Sequence, residues 1–181
     1  PKKSDEIASV QQQIGLAEAL LEGAGVKPAN RISLIDDANP DRIEQQLWDK
    51  PKLGKVKTAE FTALGSPRSV TRLATRSLAV ANGVSMENPM PLPEGAPYGR
   101  VEVDTENCTI CLSCVGACPS GALQDNPDAP QLLFKEDACL QCGICAVTCP
   151  EKVISLVPQF NLADSALSTE LVIEDEPFPG Y

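Results

Sequence analysis

The sequence predicts a mixed α+β fold whose C-terminal part contains an internal pseudo-twofold repeat and is preceded by a small α/β-like region. Three observations lead there. All 8 cysteines fall between Cys108 and Pro150, in two quartets of C-x2-C-x2-C-x3-C-P offset by 31 residues. The stretch from Gly83 to Gly99 holds Pro89, Pro91, Pro93 and Pro97, the composition of an extended linker. Ahead of it the chain reads helix, strand, helix. The expected division is residues 1–82, a linker at 83–99, the repeat domain at 100–157 and a tail at 158–181.

Ser4 to Leu21 predicts an amphipathic helix. Ile7, Val10, Ile14, Ala17 and Leu21 recur at threes and fours, and Asp5 and Glu6 suit its start. Gly23 and Gly25 end it. Gly23-Ala24-Gly25 is not a phosphate loop, because it follows a helix and Pro28 stands where the next motif glycine belongs. Arg31 to Ile35 reads as a short strand. Asn39-Pro40-Asp41 then supplies a cap, a first-turn proline and an acid, so a helix runs to about Trp48 and breaks before Pro51. Asp36 and Asp37 are assigned to a solvated strand end and helix cap, since carboxylate chemistry needs partners that are not in view. Lys50 to Lys57 reads as a solvated linker and Glu60 to Leu64 as a second strand. Ser66-Pro67 opens a helix to about Ala81, with Val70, Leu73, Ala74, Leu78 and Ala81 apolar. Arg68, Arg72 and Arg76 form one stripe on it, read as a solvated face.

Within the repeat domain, Arg100 to Asp104 and Leu132 to Phe134 are strands that lead into the two cysteine runs, and Asp125 to Asp128 makes the turn between halves. Short helices are expected to begin at Pro119 and Pro150, just after each fourth cysteine. Glu170 to Ile173 adds an edge strand, and Glu174-Asp175-Glu176-Pro177 ends regular structure.

The cysteine spacing points to iron and sulfide. A cubane cluster has four iron corners, each needing one thiolate. Cys108, Cys111 and Cys114 can wrap three corners of one cluster, and Cys139, Cys142 and Cys145 three of another. The fourth cysteine of each run stands one residue further along and points away from its own loop. Cys149 is therefore assigned to the first cluster and Cys118 to the second, the crossed ligation of this run. Ile110, Leu112, Val115, Leu140, Ile144 and Val147 interleave the ligands and are expected to form a dry wall around them. Four disulfides fit poorly, because the cysteines keep a strict repeat spacing and no signal-peptide pattern is present. Zinc sites usually pair two separated knuckles, and a thioredoxin-like motif needs one pair in a βαβ context. The chain has no His, which excludes Rieske ligation.

From about Arg100 to Val157 these residues resemble the bacterial dicluster ferredoxins. The resemblance implies a ferredoxin-type domain with two [4Fe–4S] clusters. The family often has Gly after the second cysteine; Gly143 fits, and Leu112 in the first repeat departs from it in a way that touches loop shape and not ligation. Taken whole, the chain is similar to a portion of larger proteobacterial 4Fe–4S proteins often encoded near formate dehydrogenase accessory genes. Gly65-Ser66-Pro67-Arg68-Ser69 and Gly95-Ala96-Pro97-Tyr98-Gly99-Arg100-Val101-Glu102-Val103 carry that likeness, which implies further domains elsewhere.

Charge adds a constraint. Residues 1–99 hold 12 basic and 12 acidic residues, whereas residues 100–181 hold 3 and 13 and carry the whole net charge of −10. A nucleic-acid footprint is absent, and an acidic redox face calls for a partner protein with a basic docking face. No apolar run approaches the length of a membrane span, about 20 residues. The chain begins with Pro1 and shows no targeting pattern, so it is expected to be a processed or excised cytoplasmic piece. The expected function is electron transfer by two low-potential clusters, with no catalytic constellation and no enzymatic turnover. The alternative is an assembly or interaction module that matures a partner such as formate dehydrogenase.

Overall fold

In a computed structural model that describes residues 3–49 and 51–174, the chain divides into two units, Pro1–Ser85 and Met86–Tyr181. The expectations for Lys50 and for Asp175 to Pro177 lie outside the described residues. No described helix is long and apolar enough to cross a membrane.

The first unit is helical. Helix α1 spans Lys3–Gly23, α2 Pro40–Trp48 and α3 Pro67–Asn82. Asn39 and Ser66 cap α2 and α3, each accepting a backbone N–H, with Pro at the first helical position. α1 and α3 end alike. Val26 N donates to Leu21 O and Gly25 N to Glu22 O; Val84 N donates to Ala79 O and Gly83 N to Val80 O. Gly25 and Gly83 take left-handed φ values of 78° and 74°, so both ends are Schellman turns. They meet, because a Cβ on Gly25 would stand 2.8 Å from Val84 Cγ2. Asp37 stands ahead of this cap and accepts from Asn39 N at 2.9 Å, so the cap expected of it falls to Asn39.

Three expectations for this unit need correction. Arg31 to Ile35 and Glu60 to Leu64 form no strand, and the described residues of the unit contain none, so the region is helical with irregular connections and not α/β-like. A short strand persists only where a neighbour pairs its backbone groups, and neither segment finds one. Arg31 instead holds two connections together, donating to Lys27 O at 3.0 Å and Gly54 O at 2.8 Å. Nor is the arginine stripe on α3 a solvated face. Arg72, Thr75 and Ala79 are its buried residues while Leu73 is 37% exposed, so packing overrides the apolar pattern.

The second unit is two antiparallel three-stranded sheets and two short helices. Strands β1 (Met90–Pro91), β5 (Ile154–Phe160) and β2 (Gly99–Val103) form one sheet in the order β1-β5-β2. Strands β3 (Leu123–Asn126), β4 (Ala129–Phe134) and β6 (Glu170–Glu174) form the other in the order β3-β4-β6, with β6 at the edge as expected. Helices α4 (Ser113–Ala117) and α5 (Ile144–Thr148) pack on each other. The 31-residue repeat is visible in the register: Val103 pairs with Ile154, and Phe134 pairs with Leu123. The core gathers Val101, Ala122, Leu123, Leu132, Phe134 and Ile154 around four cysteines.

The short helices lie before the fourth cysteines, not after them. Cys118 and Cys149 are C-caps with extended ψ values of 109° and 119°. The residue before a proline is pushed out of the α region, so Pro119 and Pro150 end these helices instead of starting new ones. Residues 83–99 are also more than a linker. Met90 pairs with Phe160, Leu92 N donates to Pro158 O, and Met90, Leu92 and Ala96 are buried. Past residue 157, Phe160, Leu162 and Ala166 are buried too, so the expected tail carries buried residues of its own.

Candidate metal centre

Each cysteine run bends through two residues in the left-handed region. Ile110 and Gln141 have φ of 49° and 54°, and Leu112 and Gly143 have φ of 56° and 76°. Leu112 and Gly143 are also the N-caps of α4 and α5, so the loop turns straight into the helix. Leu112 therefore adopts the conformation its glycine counterpart adopts freely, at a cost of roughly 1–2 kcal/mol. The departure in sequence leaves the loop shape intact.

These loops line two recesses. Cys108, Cys111, Cys114 and Cys149 line the first, with Ile110, Leu112, Leu132, Val153 and Ile154 as its apolar wall. Cys118, Cys139, Cys142 and Cys145 line the second, with Leu140, Phe134, Leu123 and Leu156. Each recess thus draws three cysteines from one run and the fourth from the other. Cys111 and Cys142, equivalent in the repeat, are the exposed members. Not all of the expected wall is wall: Ile144 is 43% and Val147 76% exposed, on the outer side of α5.

The thiols feel both burial and one another. Burial pushes the Cys114 thiol up to about 11, with Cys145 and Cys108 adding to the rise. Burial likewise raises Cys145, and the sulfurs that add to it, Cys139, Cys142 and Cys118, are the other three of its recess. Two thiols go the other way. The Ser113 hydroxyl and backbone N–H lower Cys111, whose Sγ lies 3.4 Å from Ser113 Oγ. For Cys118 burial is the largest single influence, yet hydrogen bonds from Leu123, Ser120 and Ala122 together outweigh it and lower the thiol.

This donor set suits an iron–sulfur cluster. Cysteine thiolates are the ligands such clusters take, and four line each recess. A zinc ion would draw its four ligands to within about 2.3 Å of one point. Among the described residues no three Cys, Asp or Glu side chains converge so closely. Each recess is lined by four cysteines, one for each iron corner of a cubane. A bound cluster supplies a one-electron couple, and its iron holds as thiolates the groups that burial would keep protonated.

Three residues beside the sulfurs escaped sequence reasoning: Gln141, whose Nε2 lies 3.5 Å from Cys139 Sγ, Ser120, whose Oγ lies 3.6 Å from Cys118 Sγ, and Ser113. The available signal was the repeat itself, since overlaying the halves sets Gln141 on Ile110, Ser120 on Glu151 and Ser113 on Ile144.

Comparison with known proteins fits this geometry. Residues 107–154 match the family model of the 4Fe-4S dicluster domain. This stretch is a 4Fe–4S dicluster domain of the ferredoxin type, and its cofactors are two [4Fe–4S] clusters. The ferredoxin of Pyrobaculum islandicum is 38% identical over 64 residues, 35% of this chain and 59% of that protein. The ferredoxin-type protein NapF of Escherichia coli K12 is 33% identical over 73 residues, 36% of this chain and 44% of that protein. The polyferredoxin-like subunit of an aliphatic sulfonate oxidoreductase from Pyrococcus furiosus is 40% identical over 48 residues, 25% of this chain and 28% of that protein. The chain thus spans well under two thirds of these relatives.

Proposed function

We propose that this chain is an electron-transfer module in which Cys108, Cys111, Cys114 and Cys149 hold one [4Fe–4S] cluster and Cys139, Cys142, Cys145 and Cys118 hold the other. The observation that carries this reading is the pair of recesses, each lined by four cysteines of the expected crossed sets. The protein's part is to bind the clusters, exclude water and set their potentials through charge and hydrogen bonds. Residues 86–181 hold 15 acidic and 3 basic residues, and this charge disfavours adding an electron. Both potentials therefore sit toward the negative end of the iron–sulfur range of about −700 to +450 mV. The same charge favours a redox partner with a basic docking face, whose association slows as salt rises. The oxidoreductase subunit among the relatives supports service within a larger redox complex.

Reductive titration of anaerobically purified protein, followed by EPR with iron and sulfide counts, tests the reading. About eight iron and eight sulfide with reversible signals from two spins are expected. Clusters that collapse on reduction would overturn it and leave a structural role in assembling a partner enzyme. Potentials well above roughly −200 mV would sink the low-potential part alone.

A further inference from the structure

One 31-residue frame builds both recesses, yet the side chains beside their sulfurs differ. At the second recess Gln141 Nε2 donates to Arg100 O at 2.9 Å and lies 3.5 Å from Cys139 Sγ. A carbonyl only accepts, so Arg100 O fixes which end of the amide faces the sulfur. That orientation is costly, because Gln141 Oε1 is buried and has no hydrogen-bond partner. Gly99 leaves the room for it: a Cβ there would stand 2.7 Å from Gln141 Cδ and 2.8 Å from Nε2. Ser120 adds a hydroxyl 3.6 Å from Cys118 Sγ. At the first recess the equivalent positions are Ile110, which has no donor, and Glu151, which brings a carboxylate to the lining. Ser113, 3.4 Å from Cys111 Sγ, and the Thr109 side chain, which also hydrogen-bonds Cys111 where the second run has Leu140, offset part of this difference.

An added electron puts negative charge on a cluster and its thiolates. Donors directed at the sulfurs favour that charge, and a nearby carboxylate opposes it. We propose that Gln141 and Ser120 make the second cluster the easier of the two to reduce, while Glu151 holds the first below it. The proposal rests on the electron-transfer reading above. With clusters bound, the sulfur dioxide radical anion formed from dithionite, itself oxidised to sulfite, would give the first electron to the centre held by Cys118, Cys139, Cys142 and Cys145, and the other centre would take the next.

Potentiometric titration of the cluster-loaded protein, read by EPR, tests this. Two one-electron steps are expected, the first giving an isolated spin signal without the broadening of coupled spins. Gln141→Leu removes the donor at similar size and should weaken the more positive step tenfold or more in its equilibrium constant, about 59 mV for one electron, leaving the other in place. Glu151→Gln should raise the more negative step alone. Should Gln141→Leu lose iron, Ser120→Ala provides the same downward shift independently. A single unresolved wave in the native protein overturns the proposal. So do two steps that stay fixed in Gln141→Leu and Ser120→Ala with iron retained. Failure of the electron-transfer reading looks different, since no reversible reduction would then be seen at all.

Discussion

The first unit closes its helices with caps and left-handed glycines, whereas the second closes around sulfur. In residues 3–85 the buried set is small, Ala24, Val26, Arg72, Thr75 and Ala79, and two Schellman turns meet where α1 and α3 end. In residues 86–174 one buried cluster runs from Val101 to Ile154, and four of its ten buried members are cysteines, while Met90, Leu92, Ala96, Phe160, Leu162 and Ala166 are buried outside it. The lesson is that this cluster and the metal centre are the same object. Removing the clusters should therefore melt the unit's interior, while the first unit should not notice.

The largest effect follows directly. Chelation of iron under anaerobic, reducing conditions should abolish amide-exchange protection in β2, β4 and β5 and leave protection in α1 and α3. Equal loss in both units would break the comparison. Next comes Leu132→Ala. Leu132 is 1% exposed and lines the first recess, so truncation should cost about 2–5 kcal/mol, read as a lower denaturant midpoint of the loaded protein. Gly143→Ala should cost only about 1–2 kcal/mol of left-handed strain, because the new Cβ would sit 3.6 Å from Leu156 Cδ1 with room to spare. Cluster content should be unchanged, because Leu112 takes the same left-handed conformation in the first loop. Ser66→Ala should cost about 1 kcal/mol and act on α3 alone, visible as faster exchange of Ser69 N–H.

Much of the second unit was legible because the 31-residue repeat encodes both topology and site. One period maps α4 onto α5 and β2 onto the end of β4, and it groups the eight cysteines before any side chain is placed. What failed there failed for a local reason. Pro119 and Pro150 suit a helix start on their own, but their effect on the preceding cysteine decides the matter. Gln141 was passed over because its work depends on Arg100 O, 41 residues away. In the first unit, helix ends were readable from Asn39, Ser66 and Gly25, whose roles are local. Its supposed strands, Arg31 to Ile35 and Glu60 to Leu64, were not, since pairing is a property of two segments together and the pattern of each shows nothing of a partner. Arg72 shows the same limit: a charge on an apparent polar stripe ends up buried.

The exchange of cysteines between the two runs also sets a timetable for biosynthesis. On the ligation proposed above, the first centre needs Cys149, which leaves the ribosome 35 residues after Cys114, while the second is complete at Cys145. At about 5–20 residues per second, Cys108, Cys111 and Cys114 wait roughly 2–7 s as a bare triplet of thiols. Both sites then become whole within four residues of each other. Delivery of iron and sulfide is thereby confined to the end of synthesis of the domain, and a chain that stalls after Cys118 can mature neither centre.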